Sequence, residues 1–356
     1  MDDFFVIGGG VAGLTAAAHL AELGRVTLIE REDALGHHAS GRSAALFEEQ
    51  YGLPSTRALN RVSRDHHEAA GVLSPRGLML IGSPEVADEF AHDMDDMGLT
   101  PLDAAEARAR VPILGPRVDR AGLHEDAFDI DTHALMQGFA RTLRANGGRH
   151  LTGRGATAIA RTDAGWRVEA GEGFEARALV NAAGAWADGV AAMAGLEPLG
   201  LTPLRRSMAR LRAPGGHDVA RWPMLFGPGE SWYAKPDAGA LLVSPAEEDP
   251  VDAPHDAFAD DLVLAEGLAR YEEWMTEPVT RPIATWAGLR TFAPDRNLVI
   301  GPDPAEPAFL WCAGQGGYGM QTSPAAGRLL ADRVAGRDLC IEAEFAAMLD
   351  PARLRR

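Results

Sequence analysis

The chain has 356 residues and a formal net charge of −17. This length suits one large domain or two closely packed domains, and the negative charge argues against nucleic acid or an anionic membrane as a partner. The only cysteines, Cys312 and Cys340, provide neither a disulfide framework nor a metal-binding motif. This cysteine usage makes a reducing cytoplasm the expected location, and because no apolar run reaches the length of a transmembrane helix, we expect no integral membrane segment.

The first thirty residues have the pattern of a dinucleotide-binding βαβ unit. They predict a strand, a helix and a second strand at residues 4–7, 11–23 and 26–29. Gly8, Gly10 and Gly13 form the pattern G-x-G-x-x-G between the first strand and the helix, and Glu30 follows the second strand. Such glycines let the backbone approach a pyrophosphate at the helix N-terminus, and an acid at this position accepts hydrogen bonds from an adenosine ribose.

Beyond this unit, α/β segments alternate with a region richer in strands. Helices are predicted at residues 57–70, 131–146, 260–274 and 323–334. Strands are predicted at residues 72–81, 154–162, 166–170, 179–180, 207–211, 231–235, 240–244, 298–300 and 309–313. The fold class is therefore α/β, with two domains that share the chain in alternating segments.

The domain prediction follows from this alternation. We assign residues 1–75, 130–200 and 285–356 to a Rossmann-type dinucleotide-binding domain. Residues 76–129 and 201–284 are assigned to a substrate domain built on a mixed, largely antiparallel β-sheet.

Four further segments have compositions that suit a binding site, although each alone has an ordinary structural explanation. Residues 40–45 (SGRSAA) place small residues beside one arginine, and residues 181–186 (NAAGAW) form a turn of small residues after a strand. Residues 285–290 end in Arg290, and an arginine there is more often a surface charge. Residues 314–322 (GQGGYGMQT) form a glycine loop before a helix, whose dipole would stabilise negative charge.

Together these segments resemble the D-amino acid oxidase-like superfamily of FAD-dependent amine and hydroxy-acid oxidoreductases over essentially the whole chain. The resemblance is closest to the bacterial D-arginine dehydrogenase type. It is carried by GRSAA (41–45), RALNRVSR (57–64), DIDTHALMQG (129–138), LVNAAGAW (179–186), LRRS (204–207), YAKPDAG (233–239), TWAGLR (285–290) and QGGYGMQTS (315–323). Their occurrence in this order is far more specific than any single motif.

The resemblance implies FAD as a non-covalent cofactor. The implied FAD-binding residues are Gly8, Gly10, Val11, Ala12, Gly13, Glu30, Arg31, Arg42, Ser43, Ala44, Ala183, Gly184, Gly316, Tyr318, Gly319, Met320, Gln321 and Thr322. The first five would lie at the pyrophosphate, Glu30 on the ribose, residues 42–44 beside the isoalloxazine and residues 316–322 around its pyrimidine end. Relatives with covalent flavin attach it through a histidine or a cysteine, whereas Ser43 stands at one such position here.

The resemblance also implies the substrate site, which would consist of Tyr51, Arg206, Tyr233, Arg290 and the backbone carbonyl of Gly317. In enzymes of this type, the arginines and tyrosines hold the substrate carboxylate and a glycine carbonyl receives the amine. Once a fork of charge-assisted hydrogen bonds fixes the carboxylate, only one enantiomer directs its α-hydrogen at the flavin. The implied reaction oxidises a D-amino acid to an imino acid, which hydrolyses to a 2-oxo acid and ammonia.

The side-chain pocket departs from the D-arginine dehydrogenase pattern. That type has a histidine where this chain has Leu46, and a glutamate facing the substrate guanidinium where it has Leu78. Glu48 occupies a neighbouring position that is uncharged in the relative. If Glu48 points into the pocket, basic D-amino acids remain candidates, and if it points to solvent, the pocket prefers apolar side chains. We favour the apolar or broad alternative.

Two other functions fit the same residues. An enzyme with the same fold and carboxylate clamp would oxidise an N-alkyl or cyclic amino acid, or a 2-hydroxy acid, although the latter normally needs a base such as histidine. A flavoprotein that binds a carboxylate without turnover is the third alternative.

The electron acceptor would be a quinone, a carrier protein or oxygen. A quinone acceptor would place the protein at the periphery of the inner membrane. The only lysine, Lys235, lies in a motif shared with the dehydrogenases, which favours a dehydrogenase over an oxidase.

No metal site is predicted. The adjacent histidines His37, His38, His66 and His67 are interpreted as loop and surface residues. The acid-rich run at residues 246–261 is interpreted as a solvated loop, with a lid over the substrate pocket as the alternative.

Overall fold

A computed structural model describes residues 1–355, which form nine α-helices and twenty strands within that range. The helices are α1 Val11–Leu20, α2 Pro54–Ala69, α3 Ala87–Asp96, α4 Ala104–Arg110, α5 Thr132–Ala145, α6 Ala187–Met193, α7 Asp261–Glu272, α8 Gly319–Ala335 and α9 Ala343–Ala347. The strands are β1 Asp2–Ile7, β2 Val26–Ile29, β3 Leu46–Phe47, β4 Leu73–Pro75, β5 Leu78–Gly82, β6 Thr100–Asp103, β7 Arg120–His124, β8 Phe128–Ile130, β9 Arg149–Leu151, β10 Ala158–Thr162, β11 Gly165–Glu169, β12 Gly173–Asn181, β13 Thr202–Arg212, β14 Met224–Phe226, β15 Tyr233–Asp237, β16 Ala240–Ser244, β17 Asp249–Pro250, β18 Ala284–Phe292, β19 Val299–Pro302 and β20 Phe309–Ala313.

The first sheet contains five parallel strands in the order β9-β2-β1-β12-β20. Antiparallel strands extend this sheet in two places. Strand β11 pairs with β12 and β10 pairs with β11, while β19 pairs with β20. Phe5 and Val6 at the centre of β1 are completely buried because helices and strands cover both faces of the sheet. Helix α1 packs against α5 and α8 on one of these faces.

The second sheet has nine strands, in the order β17-β13-β16-β15-β14-β5-β7-β6 with β18 also paired to β13. Its pairings in the described chain are antiparallel except for the parallel pair β14 and β5. A small sheet of β3, β8 and β4 lies in the segments that connect the two large sheets. The architecture confirms an α/β fold whose second half is a mixed, largely antiparallel sheet.

Most predicted elements are present within a few residues of their expected bounds. Asp131 caps α5 as expected, because its side chain accepts a hydrogen bond from the backbone N–H of Ala134 at 2.8 Å. Helix α7 begins after Asp260, which caps it in the same way. The predicted strand pair after residue 154 forms the antiparallel hairpin of β10 and β11.

Three differences concern segment boundaries. The strand predicted at residues 72–81 is two strands of different sheets, separated at Gly77, whose φ of 73° breaks an extended conformation. Helix α8 begins at Gly319, four residues before the predicted start at Ser323. Strand β18, which the predicted boundary at residue 285 assigns to the dinucleotide-binding segments, pairs with β13 in the second sheet.

Within residues 1–355, no helix combines the length and the apolar character that crossing a membrane requires.

Candidate active site

A cavity of about 410 Å³ lies between the two large sheets and is lined by segments of both. The first sheet contributes the turn after β1, the end of β2 and the loops after β12 and β20. The second sheet contributes side chains from β13, β15 and β18. The cavity therefore spans the predicted dinucleotide site and the predicted substrate site.

At one end, helix α1 directs its N-terminus at the cavity. Gly10, Val11 and Ala12 line the wall. Gly10 is the N-cap and has no side chain, and the Oγ atom of Ser40 accepts from the N–H of Val11 at 3.0 Å. Gly13 lies behind this turn, where a Cβ atom would come within 1.8 Å of the carbonyl oxygen of Gly8. This close approach explains why the third glycine is needed, and it leaves backbone N–H groups of the first helical turn facing space that suits a pyrophosphate.

The Glu30 carboxylate is fixed at the cavity wall by two backbone N–H groups. Gly9 donates to Oε2 at 2.7 Å and Glu32 donates to Oε1 at 2.9 Å. The guanidinium of Arg31 next to it lies 4.7 Å from the ring centre of Trp186, which also lines the cavity. A fixed acid at this place suits the ribose of an adenosine group.

The charge of the cavity wall is opposite to that of the whole chain. Among the lining residues in the described part of the chain, Glu30 is the only acid. Five arginines line the same cavity, namely Arg31, Arg42, Arg154, Arg206 and Arg290. A wall of this charge in a chain of net charge −17 favours an anionic ligand.

The middle of the cavity is lined by residues 42–44, the segment expected beside the isoalloxazine. The Arg42 side chain turns toward the second sheet, where it donates to the carbonyl oxygens of Ala257 at 2.7 Å and Ala287 at 2.8 Å. It also pairs with Asp256. The acid-rich segment thus contacts the cavity through Ala257, which lines it, while its role as a lid stays a prediction.

At the far end, the Arg290 guanidinium faces the cavity and makes no ion pair or side-chain hydrogen bond with residues 1–355. Gly317 lies directly beside it, because a Cβ atom on Gly317 would be 3.0 Å from Nη1 of Arg290. Burial lowers the pKa of Arg290, but Tyr233, Tyr51 and nearby acids together raise it above its ordinary value. Arg290 is therefore a cation without a counter-ion among residues 1–355, and it lies next to the exposed residue Gly317.

Arg206 lies near Arg290 but is already paired. Its Nη2 atom lies 3.1 Å from Oε1 of Glu248, which also contacts Arg296 at 2.9 Å. The guanidinium carbon of Arg206 is 6.0 Å from the ring centre of Tyr233. Burial and the neighbouring charge of Arg290 lower the pKa of Arg206, so an anion between the two arginines would relieve their repulsion.

An aromatic group borders the two arginines. The Tyr51 ring lies 5.6 Å from that of Tyr318 and 6.4 Å from that of Phe226. The Tyr51 hydroxyl donates to Oε2 of Glu230 at 3.1 Å. Burial of the carboxyl group raises the pKa of Glu230, although part of the residue is open to solvent. Burial and the neighbouring Glu230 raise the pKa of Tyr51.

The predicted pocket residues divide into two groups. Leu46 and Leu78 belong to an apolar cluster that also contains Tyr51 and the cavity-lining residues Met208 and Tyr233. Glu48 lies elsewhere, with only 1% of its surface exposed. Its Oε2 atom is 2.6 Å from Nδ1 of His124, and its Oε1 atom accepts from the N–H of Gln50 at 3.0 Å.

The Glu48 side chain therefore points neither into the cavity nor to solvent, as the two alternatives required, but to the half-buried His124. Burial raises the pKa of Glu48, and the hydrogen bonds from His124 and Gln50 oppose this effect.

Most predicted site residues meet at this one cavity. Those that line it are Gly8, Gly10, Val11, Ala12, Glu30, Arg31, Arg42, Ser43, Ala44, Ala183, Gly184, Arg206, Tyr233, Arg290, Gly316, Gly317, Gly319 and Met320. Tyr318 packs against Tyr51 beside the cavity, whereas Gln321 and Thr322 are buried in the first turn of α8. Neither of those two side chains lines the cavity, since Gln321 accepts from the N–H of Glu48 at 3.3 Å and the Thr322 hydroxyl donates to the carbonyl oxygen of Tyr318 at 2.9 Å.

Several residues around the site were not predicted from sequence. Glu230 contacts Tyr51 and belongs to no motif, and Glu248 contacts Arg206 from the acid-rich run, where no contact with the site residues was predicted. His38 was interpreted as a loop and surface residue, yet it lines the cavity. Its ring centre lies 4.6 Å from that of Trp186, and its Nε2 atom lies 3.0 Å from Oε1 of Glu32. The only sequence signal that could have placed these residues near the site is that they lie close to motif residues along the chain.

Neither the expected attachment position, which is Ser43, nor the buried Cys312 provides a side chain for a covalent flavin link. Ser43 lines the cavity where an attachment residue would stand, and its Oγ atom accepts from the N–H of Ala45 at 3.1 Å. Cys312 is completely buried against the carbonyl of Ala12. The wall that the described residues form thus fits FAD held by non-covalent contacts.

Comparisons with known proteins agree with this geometry. A family model described as FAD dependent oxidoreductase (DAO) matches residues 3–333. The chain is 28% identical to glycine oxidase from Pseudomonas aeruginosa, with 95% of this chain and 96% of that protein aligned. It is 26% identical to human mitochondrial dimethylglycine dehydrogenase, where the alignment covers 92% of this chain and 42% of the longer relative.

The fold is also found among solved structures. The crystal structure of L-proline dehydrogenase from P. horikoshii superimposes with a TM-score of 0.84 at 20% identity, covering 99% of this chain and 98% of that one. Glycine oxidase from Geobacillus kaustophilus superimposes with a TM-score of 0.81 at 22% identity, covering 97% of each chain. At these identities the similarity concerns the fold.

Proposed function

The chain belongs to the DAO family of FAD-dependent oxidoreductases, and we propose that it oxidises a D-amino acid with an apolar side chain. FAD is its non-covalent cofactor, and when bound it supplies the two-electron acceptor. The product is an imino acid that hydrolyses to a 2-oxo acid and ammonia. The guanidinium of Arg290, unpaired among the described residues and beside Gly317 in the cavity wall, carries this proposal.

Arg290 would bind the substrate carboxylate. A cation without a protein partner in a water-poor cavity is costly unless a ligand anion pairs with it. A bidentate guanidinium–carboxylate pair also fixes orientation. Tyr51 and Tyr233 stand near the same place and would complete the clamp, while Arg206 adds positive potential that Glu248 partly compensates.

The Gly317 carbonyl would accept a hydrogen bond from the substrate amine. With the carboxylate at Arg290 and the amine at Gly317, two of the four groups on the α-carbon are fixed. The side chain and the α-hydrogen then occupy the remaining directions, so a single enantiomer presents its hydrogen to the cofactor. If the amine is neutral when it reacts, the removal of the hydride requires no strong protein base.

The apolar side-chain preference rests on the cluster around Leu78. Leu46, Leu78 and Phe226 pack in one cluster with Tyr51 and the cavity-lining residues Met208 and Tyr233, and Glu48 is turned to His124. A guanidinium or ammonium buried in this cluster would lack a counter-ion. This preference departs from the D-arginine dehydrogenase type that the motifs resemble.

A dehydrogenase is favoured over an oxidase. The single lysine, Lys235, is 7% exposed and pairs with Asp129 and two backbone carbonyls, so it is not free to activate oxygen beside a flavin.

N-alkyl and cyclic amino acids are the second candidate class. The observation in their favour is that dimethylglycine dehydrogenase and L-proline dehydrogenase are among the similar proteins. A secondary amine places the same carboxylate on Arg290, so the clamp alone does not separate the two classes.

A substrate series with an artificial electron acceptor tests the proposal. We expect kcat/KM values for D-leucine, D-methionine and D-phenylalanine to exceed those for D-arginine and D-lysine, with the L-enantiomers inactive. Sarcosine and both proline enantiomers in the same series test the second class. Strong activity on D-arginine would contradict the apolar pocket, and preference for L-enantiomers or secondary amines would contradict the substrate class.

A further inference from the structure

Lys235 is the only lysine in a chain with 34 lysine and arginine residues in total. It lies on β15, two residues after Tyr233. Side chains two apart on a strand point to the same face, so Lys235 shares the cavity side of the sheet with Tyr233. Lys235 is nevertheless 7% exposed and does not line the cavity. The ammonium is therefore enclosed directly behind the wall of the site.

Three oxygens surround this ammonium. Its Nζ atom donates to the carbonyl oxygen of Ala44 and, at 3.0 Å, to that of Ala45. It also lies 2.8 Å from Oδ1 of Asp129, in an ion pair without the angle of a hydrogen bond. An ammonium has three N–H donors on one compact centre, whereas a guanidinium is a larger planar fork. This difference explains a lysine in a chain that otherwise uses arginine.

The charge is held in place from the other side. Asp129 also receives the guanidinium of Arg76, at 2.6 Å and 2.8 Å from its Oδ2 atom. Arg76 in turn donates to the carbonyl oxygens of Ala220 at 2.8 Å and Trp222 at 2.9 Å. Lys235 is thus part of a fixed network rather than a mobile surface charge.

We propose that Lys235 is a positioning residue that holds the peptide groups of Ala44 and Ala45 against the flavin and stabilises its reduced form. Ser43 and Ala44 line the cavity, and Arg42 anchors the start of the same segment to Ala257 and Ala287. Lys235 anchors the other end of this segment through the carbonyl oxygens of Ala44 and Ala45. The conformation of residues 42–45 is therefore fixed at both ends.

The charge has an electronic consequence as well. A cation one peptide group behind the cavity wall favours negative charge in the cavity, because little water separates the two. A flavin that gains two electrons is stabilised by such a charge. This inference depends on FAD as the cofactor and not on the proposed substrate, so its failure leaves the substrate proposal untouched.

Two substitutions with opposite expected effects test it in the FAD-loaded protein. Lys235→Met removes the cation. In this variant we expect the midpoint potential of the flavin to become more negative and the dissociation constant of the protein for FAD to rise about tenfold. Asp129→Asn keeps the cation and removes its counter-ion, and we expect the potential to become more positive. Exposed Arg281 provides the control, since Arg281→Met removes a distant charge and should leave both quantities unchanged.

Potentials measured against reference dyes and visible flavin spectra decide the outcome. A purely structural lysine would lower the thermal midpoint but leave the flavin spectrum and potential of the folded, loaded protein unchanged, and that result would overturn the proposal. If Lys235→Met does not retain FAD, Asp129→Asn alone decides, and an unchanged or more negative potential in that variant would overturn it equally.

Discussion

Arg290 is the residue on which the proposed orientation of the substrate depends most. Other cations near the site have partners, since Arg206 pairs with Glu248 and Arg42 with Asp256. Arg290 alone among these three faces the cavity without one in the described chain. Its environment supports a permanent positive charge, because the nearby acids and tyrosines raise its pKa.

Replacing Arg290 with methionine should therefore impair transition-state binding strongly. Methionine keeps the length of the side chain and deletes the charged fork, and we expect a loss of at least about 3 kcal/mol, or about a hundredfold in kcat/KM. Steady-state kinetics with the best D-amino acid measure the effect, with Arg281→Met as the control. A loss below fivefold would mean that Arg206 holds the carboxylate instead.

Glu48 gives a prediction about pH. Because burial raises its pKa above the ordinary carboxyl value of 4.5, the folded protein favours the protonated form. The stability that this group contributes is present below pH 4.5 and is lost as the pH rises through the raised value. Glu48→Gln should therefore gain unfolding free energy relative to the wild type between acidic and neutral pH.

Urea unfolding of both proteins at pH 5 and pH 7.5 measures this difference. A difference that does not change with pH would show that the contact with His124 compensates the burial. Since Glu48 does not face the cavity, the ratio of apolar to basic substrate activity should be the same in both proteins.

At the scale of elements, local patterns predicted helices and strands well but not how strands are distributed between sheets. The βαβ unit, the cap at Asp131 and the hairpin of β10 and β11 follow from short-range rules. The separation of β4 from β5 depends on pairing with β8 and β14, which lie far away in the chain. Such pairings are tertiary and leave no local signal.

The start of α8 is a second instance. Glycines favour a loop in sequence, so the helix was predicted from Ser323. In the fold, a Cβ on Gly319 would come within 3.2 Å of the Cβ of Gln315 and would touch Val11 of α1 at 3.5 Å, and α1 packs closely on α8. Packing between the two helices outweighs the propensity of the glycine.

The turn between β1 and α1 provides a prediction at this scale. In Gly13→Ala, the new methyl group would meet the carbonyl oxygen of Gly8 at 1.8 Å, so α1 must shift away from the strand. We expect a destabilisation of about 1–3 kcal/mol and at least tenfold weaker FAD binding. Thermal unfolding and fluorescence titration with FAD measure the two effects.

Gly138 in α5 is the matched control, since a Cβ there would meet only Arg141, at 3.8 Å. Gly138→Ala should stabilise the protein by about 0.5–1 kcal/mol through helix propensity and leave FAD binding unchanged. Equal FAD affinity in both variants would contradict the role assigned to Gly13.

At the scale of the whole molecule, the site exists only where the two large sheets meet. The motifs indicated most residues of the cavity wall, because each motif is continuous in sequence. The side chains that contact these residues from outside the motifs were not predictable. The contacts of Glu230 with Tyr51 and of Glu248 with Arg206 depend on how loops of the second sheet fold back. The buried orientation of Glu48 was missed for the same reason.

A cofactor bound between two sheets should stabilise both. At a free FAD concentration one hundred times the dissociation constant, the linkage relation gives about 2.7 kcal/mol of additional stability. We expect the thermal midpoint to rise with FAD concentration, and acid precipitation to release the yellow colour into the supernatant. Colour that stays in the precipitate would contradict non-covalent binding, and a midpoint independent of FAD would contradict its place between the sheets.

The most direct test of the central claim is anaerobic bleaching of the flavin in a stopped-flow instrument with D-methionine and L-methionine. The clamp formed by Arg290 and Gly317 predicts rapid, complete bleaching with the D-enantiomer and none with the L-enantiomer. In Arg290→Met, the second-order rate constant for D-methionine should be at least about a hundredfold lower. Bleaching by both enantiomers at similar rates, or by neither while sarcosine bleaches the flavin, would contradict the account.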